Sequence, residues 1–125
     1  MLKARERRIE LEQKLQTQLP EQAMNAIASR FPIAEFCQRW QIKEFYVFGS
    51  VLREDFRPNS DIDVMVSFEA DAPWGLLEFV RMKRELETLL GREVDLVTKK
   101  SIEQSHNWIR RQEILGTAQV VYLSR

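Results

Sequence analysis

Cysteine, histidine, glycine and proline are scarce in this sequence of 125 residues, which contains 1 Cys, 1 His, 4 Gly and 4 Pro. A lone cysteine, Cys37, cannot form an internal disulfide, so a reducing compartment is favoured. The helical spacing around Cys37 makes it a small core residue rather than a nucleophile. With 30% charged residues and so few glycines and prolines, the chain is predicted to be a helix-rich globular domain.

The sequence also lacks an excess of charge of either sign. Its 19 Lys and Arg residues balance its 19 Asp and Glu residues. We therefore expect no strong direct nucleic-acid binding, because basic contacts to phosphates supply most non-specific affinity. The same balance argues against an acidic disordered tail.

Long apolar runs are missing as well. No stretch approaches the ~20 apolar residues that cross a bilayer, and residues 1–12 are charged from the third position with no apolar signal core. We expect a cytoplasmic protein with no membrane partner. The apolar fraction of 44% is enough for one core, although the length leaves no room for a separate acceptor-binding domain.

Helical periodicity marks the N-terminal part of the chain. Leu11, Leu15 and Leu19 follow an i, i+4, i+8 pattern on an otherwise polar segment, which predicts a narrow helix. We divide the chain into an N-terminal helical arm, residues 1–31, and a globular domain, residues 32–125. The arm is interpreted either as a solvated helix or as a docking segment for a partner.

The remaining residues predict an α+β fold. The predicted elements are a helix from Pro32, strands over 44–48 and 61–68, a helix from Pro73 to Gly91, a strand over 93–98, a helix from Ser101 to Gly116, and an edge strand over 118–123. Few residues join the first two strands, which favours antiparallel pairing there. We expect a mixed sheet of about four strands flanked by helices.

Three aspartates carry the chemistry that the pattern suggests. Asp61 and Asp63 lie two apart on a predicted strand, so both point to one face, and Asp95 stands in the middle of another strand. If these strands are neighbours, the three carboxylates converge. Such oxygen ligands suit Mg²⁺, and two Mg²⁺ ions are a known arrangement for nucleotidyl transfer.

A phosphate-binding turn is predicted just before these aspartates. Gly49 and Ser50 end a strand and precede a short helical turn, where backbone N–H groups and a hydroxyl face an anion. Arg53 lies on the same side of that turn and could neutralise a leaving pyrophosphate. Ser60 could add one further hydroxyl. Each feature is weak alone, but together they read Gly-Ser-x₁₀-Asp-x-Asp with a third aspartate downstream.

This pattern resembles the nucleotidyltransferase superfamily that includes DNA polymerase β. More closely, it resembles the minimal nucleotidyltransferase (MNT) antitoxins, which are encoded beside HEPN-domain toxins. The resemblance covers about residues 32–123, so it identifies the globular domain as a minimal nucleotidyltransferase domain. It implies an α+β polymerase β-like core that uses Mg²⁺ and ATP.

The resemblance also implies a role for each matching residue. Asp61 and Asp63 would bind both metal ions, and Asp95 would bind one and help to deprotonate the attacking hydroxyl. Gly49 and Ser50 would hold the triphosphate. The implied activity is transfer of AMP from ATP to a tyrosine of a HEPN ribonuclease toxin, which silences the toxin.

Two other functions remain open. The chain could be an antitoxin that acts by binding alone, with vestigial catalysis, or a nucleotidyltransferase that modifies a small molecule or RNA. The short chain favours an acceptor that arrives on another protein.

Arg110 and Arg111 are interpreted as a solvated pair or as contacts to the nucleotide or partner. At least one of Trp40, Trp74 and Trp108 is expected at a partner surface.

Overall fold

The computed structural model describes residues 31–49 and 61–124. The predicted arm therefore lies outside the described residues except for its last position. Ser50, Arg53 and Ser60 also lie outside them. The division into arm and domain, and the roles of these three residues, stay predictions.

Four helices and four strands make up the described chain. In order they are α1 (Phe31–Arg39), β1 (Ile42–Phe48), β2 (Ile62–Phe68), α2 (Leu76–Leu90), β3 (Val94–Thr98), α3 (Lys99–Glu103), α4 (Trp108–Thr117) and β4 (Gln119–Leu123). The strands form one sheet in the order β3-β2-β1-β4. Among these elements no helix is long and apolar enough to span a membrane.

The sheet is mixed, as predicted. Strand β1 pairs antiparallel with both β2 and β4, while β2 and β3 are parallel. Parallel neighbours need a long crossover connection, which α2 supplies. Strand β4 lies at the edge of the sheet, also as predicted.

One face of the sheet, which we call the closed face, carries the main core. Ile62, Val64 and Val66 alternate along β2 towards this face and are fully buried. Helices α1 and α2 cover it. The buried residues of this core are Ile33, Phe36, Cys37, Ile42, Phe45, Val47, Ile62, Val64, Val66, Met82, Leu86, Leu90, Val94 and Leu96.

Helix α2 begins later than the sequence predicted. The prediction that Pro73 starts this helix is wrong, because the helix begins at Leu76 after Gly75. The Trp74 indole N–H donates to the Trp40 carbonyl oxygen (2.6 Å), which holds residue 74 against the end of α1. The C-terminal end is as predicted, since Gly91 adopts the left-handed conformation (φ 69°) that stops a helix.

The opposite face, which we call the open face, is covered by the shorter helices α3 and α4. Its core is a small cluster of Phe48, Met65, Ile102 and Ile114. Because residues alternate along a strand, Met65 on β2 points away from the closed face. The open face therefore has a thinner cover than the closed one.

The single helix predicted from Ser101 to Gly116 is wrong, because this segment forms α3 and α4. The Thr98 hydroxyl accepts a hydrogen bond from the Ser101 backbone N–H and caps α3 earlier than expected. The Asn107 side chain then caps α4 by accepting from the Arg110 backbone N–H. Gly116 lies inside α4.

Candidate active site

Asp63 and Asp95 stand side by side on the open face. The parallel register of β2 and β3 pairs them directly, and neighbouring strands lie about 4.8 Å apart. Their chain neighbours point to the closed face and are buried, which leaves both carboxylates on the opposite side. The condition that the sequence left open, that the strand carrying Asp95 lies next to the strand carrying Asp63, is met.

Asp61 immediately precedes β2 and is exposed. The next residue, Ile62, donates its backbone N–H to the Glu93 carbonyl oxygen (3.0 Å), which joins the start of β2 to the start of β3. Asp61 therefore lies at the same end of the sheet as Asp63 and Asp95. We call this the carboxylate end.

Gly49 packs its backbone directly against Asp63. Strand β1 ends at Phe48, which pairs with Asp63, and Gly49 follows in the left-handed conformation (φ 71°). A Cβ placed on Gly49 would overlap Asp63 Oδ2 and lie 3.1 Å from its Cγ. Only glycine fits here without displacing the carboxylate. The chain thus enters the predicted phosphate-binding turn beside a carboxylate.

The donor set fits Mg²⁺ chemically. Mg²⁺ prefers oxygen ligands and is usually held by one or two carboxylates together with water and phosphate oxygens. The paired aspartates supply two carboxylates, and the missing side chain at position 49 gives the Asp63 carboxylate the room that it occupies. Within the described ranges, however, no three His, Cys, Asp or Glu side chains form a group that could hold one ion. The predicted three-way convergence with Asp61 stays a prediction.

A charged cluster on the same face was not found by sequence reasoning. Tyr46 Oη donates to Glu44 Oε1 (2.8 Å), and Lys99 Nζ lies 3.4 Å from Glu44 Oε2. The same ammonium lies 5.5 Å from the centre of the Tyr46 ring. The i, i+2 spacing of Glu44 and Tyr46 could have placed those two together, but only the fold brings Lys99 to them.

Each group of this cluster shifts the pKa of the others. Burial would raise the pKa of Glu44, but the hydrogen bond from Tyr46 and the attraction to Lys99 outweigh it and lower that pKa. Burial and the bond to Glu44 raise the pKa of Tyr46. Burial would lower the pKa of Lys99, but attraction to Tyr46 and Glu44 raises it. The cluster ties α3 to β1, at the end of the sheet opposite the carboxylates.

Cys37 and Arg111 have mainly structural roles. Cys37 is buried, and burial raises the pKa of its thiol, which agrees with a core role. Arg111 Nη1 donates to the Glu103 and Ser105 carbonyl oxygens (3.4 and 3.3 Å) and so braces the turn between α3 and α4.

Trp40 and Trp74 are part-buried and pack edge to face, with ring centres 5.1 Å apart. Trp108, by contrast, is exposed. It is therefore the tryptophan of this group that is available to a partner.

The chain is similar to known proteins in sequence and in fold. A family model described as the nucleotidyltransferase domain matches residues 33–120. The chain is 42% identical to the protein adenylyltransferase MntA of Thermococcus cleftensis over 69 residues. This aligned region covers 55% of this chain and 68% of that protein.

Two solved structures share the fold. One, assigned as a minimal nucleotidyltransferase, has a TM-score of 0.59 and 34% identity, and the match covers 78% of this chain and 93% of that one. The other, a toxin–antitoxin complex with AMP-PNP, has a TM-score of 0.57 and 22% identity, with coverage of 74% and 72%. The second likeness concerns the fold alone.

Proposed function

Because the chain belongs to the nucleotidyltransferase domain family, whose model matches residues 33–120, we propose that it is an antitoxin with Mg²⁺-dependent adenylyltransferase activity. It transfers AMP from ATP to a tyrosine hydroxyl of a cognate HEPN-family ribonuclease toxin and so silences that toxin. The observation that carries this proposal is the in-register pair Asp63 and Asp95 with Gly49 packed against it. The similarity to MntA supports a protein as the acceptor.

The reaction is a displacement at the α-phosphorus of ATP. The tyrosine oxygen forms a bond to this phosphorus as the bond to the bridging oxygen of pyrophosphate breaks, and pyrophosphate leaves. Asp95, whose carboxylate is exposed and therefore accessible to an incoming hydroxyl, accepts the phenolic proton. The Gly49 backbone, with Ser50, Arg53 and Ser60, holds the triphosphate. Asp61, Asp63 and Asp95 would hold two Mg²⁺ ions, which supply charge stabilisation for the attacking and leaving oxygens.

The test is a mass measurement on the partner. The protein is incubated with the cognate HEPN protein, ATP and Mg²⁺, and the HEPN protein is then weighed intact. We expect a mass increase of one or more AMP units, located on tyrosine by peptide mapping, and no increase after chelation of the metal. The double variant Asp61→Asn/Asp63→Asn should give none while still binding the HEPN protein.

Two further assays, of toxin neutralisation and of ATP turnover without a partner protein, separate the alternatives. If the double variant neutralises the toxin as well as the wild type does, the chain acts by binding alone and catalysis is vestigial. If ATP is consumed with a small molecule or RNA in the absence of any protein partner, the acceptor class is wrong. The cytoplasmic location inferred from the sequence stays a prediction.

A further inference from the structure

Among the residues that the structure describes, the open face is the side of the sheet from which an acceptor protein can reach the two carboxylates. Asp63 and Asp95 point away from the closed face, which α1 and α2 cover. Helices α3 and α4 cover the open face, and α4 is the one that ends at the carboxylate end, so a protein that delivers a hydroxyl to Asp95 comes against α4. This argument rests on the proposed function, since it takes the acceptor to be a protein.

Helix α4 carries large apolar side chains that nothing in the described chain covers. Trp108 is 57% exposed, Ile109 is 63% exposed and Leu115 is 38% exposed. Trp108 and Leu115 are seven residues apart and therefore share one side of the helix. Exposed aromatic and aliphatic groups that cluster in this way are typical of protein interaction sites.

The position of α4 relates this surface to the active site. Ile114 packs on Phe48 and Met65, which fixes the helix on the open face. The helix ends at Thr117, and Gln119 then pairs with Val47 near the end of β1. The C-terminal end of α4 thus lies at the carboxylate end of the sheet, and Trp108 lies about 15 Å further along the helix axis.

The start of α4 is also held in place before any partner binds. The Asn107 side chain caps its first turn, and Arg111 is bonded to two carbonyl oxygens of the preceding turn. A surface that is already ordered loses little conformational entropy on binding, which favours affinity. An ordered tryptophan at such a surface is a typical energetic hot spot.

We propose that Trp108, Ile109 and Leu115 of α4 form the docking surface for the acceptor protein. The acceptor contacts this surface through an apolar patch of its own, placed so that its hydroxyl side chain reaches Asp63 and Asp95. The surface sets affinity for the acceptor and takes no part in the chemical step.

The test compares two matched double variants of the full chain. Trp108→Ala/Ile109→Ala removes the proposed surface. Leu76→Ala/Leu77→Ala removes apolar groups that are at least about as exposed (81% and 62%) from α2, which covers the closed face. Binding of the cognate HEPN protein is measured by calorimetry without ATP, and AMP transfer is measured separately as kcat and KM for the HEPN protein.

We expect the α4 variant to raise both Kd and KM for the HEPN protein by roughly 10-fold or more. Its kcat and its affinity for a non-hydrolysable ATP analogue should be unchanged. The α2 variant should match the wild type in every measurement. An α4 variant that binds the HEPN protein as tightly as the wild type overturns the proposal, as does a wild type that does not bind it.

Two further outcomes distinguish failure of the proposed function from failure of the proposed docking surface. A wild type that binds the HEPN protein but transfers no AMP contradicts the proposed function, while the calorimetry still decides the docking surface. If sedimentation shows a wild-type dimer that the α4 variant loses, with affinity for the HEPN protein unchanged, the occupant is a second copy of this chain and the proposal is wrong.

Discussion

The two faces of the sheet differ in how they are covered and in what they carry. Among the residues that the structure describes, the closed face holds a core of 14 buried residues under α1 and α2, whereas the open face holds a cluster of four under α3 and α4. The paired carboxylates, the charged cluster of Glu44, Tyr46 and Lys99, and the exposed side chains of α4 all belong to the open face. One face stabilises the fold, and the other carries the groups that face water and partners.

This division has a simple physical reason. An ionised carboxylate is costly to bury without a compensating partner, so the site lies where water, metal ions and phosphates can reach it. Among residues 31–49 and 61–124 no polar or charged residue is fully buried. The alternation of β2 and β3 satisfies both needs, because each strand turns apolar residues to one side and carboxylates to the other.

The largest effect should come from the closed face. Leu86→Ala removes a fully buried side chain from α2 and should lower the free energy of unfolding by about 2–5 kcal/mol. Ile102→Ala, on the open face, should cost less, because its cluster has only four buried members in the described chain and can relax more easily. Urea denaturation measures both. AMP transfer per folded Leu86→Ala molecule should equal that of the wild type.

A milder substitution in the closed-face core keeps the comparison measurable if Leu86→Ala does not fold. Ile33→Val removes one methylene from the same closed-face core and should cost about 0.5–1.5 kcal/mol. If Ile102→Ala lowers the free energy of unfolding as much as Leu86→Ala does, the two faces contribute equally to stability. The closed face would then not be the main source of stability.

A change at Gly49 should have the opposite outcome, with a large loss of activity and a smaller loss of stability. A Cβ at this position overlaps Asp63 Oδ2, so Gly49→Ala should displace the carboxylate. A displacement of about 1 Å at a reacting centre can lower the rate by ~100-fold, whereas the left-handed conformation costs alanine about 1–2 kcal/mol. AMP transfer and urea denaturation, measured on the same preparation, separate the two effects. Full activity in this variant would mean that the contact with Asp63 has no catalytic role.

The strand positions and the paired aspartates could be predicted because they depend on short-range alternation. Asp63 lies between two buried aliphatic residues, and Asp95 has the same pattern around it, so each local sequence already indicates which way its carboxylate points. The antiparallel pairing of the first two strands could also be predicted, because the connection between them is short. The close contact between the Gly49 backbone and the Asp63 carboxylate could not be predicted from the sequence, because it joins the end of β1 to a different strand, β2.

One of the two wrong helix predictions depends on a contact between distant residues, and the other does not. The Trp74 indole N–H donates to the Trp40 carbonyl oxygen, 34 positions away, and no local sequence pattern predicts this bond. The bond holds residue 74 outside α2, which begins at Leu76. The split between α3 and α4 was in principle visible, because Thr98 and Asn107 are both good capping residues. Lys99 could not be assigned to Glu44 from the sequence, since 55 positions separate them.

The smallest expected effect concerns the charged cluster on the open face, and it depends on pH. The pKa of Glu44 is lowered in the folded protein, mainly because the hydrogen bond from Tyr46 and the attraction to Lys99 outweigh burial. A lowered folded pKa adds stability at pH values above the unfolded pKa of about 4.3, and this stability is lost as the pH falls through the folded pKa. Glu44→Gln should therefore lower the free energy of unfolding by up to about 1 kcal/mol at pH 7.

Denaturation of wild type and Glu44→Gln at a series of pH values checks this expectation. The difference between them should be largest at neutral pH and should shrink as the pH falls below about 4.3, because protonated Glu44 no longer attracts Lys99. Glu35→Gln, which makes the same change on the exposed side of α1, is the matched control. Should Glu35→Gln and Glu44→Gln depend on pH alike, the open-face cluster adds nothing beyond net charge. AMP transfer should be unchanged in both variants, since the cluster lies at the end of the sheet opposite the carboxylates.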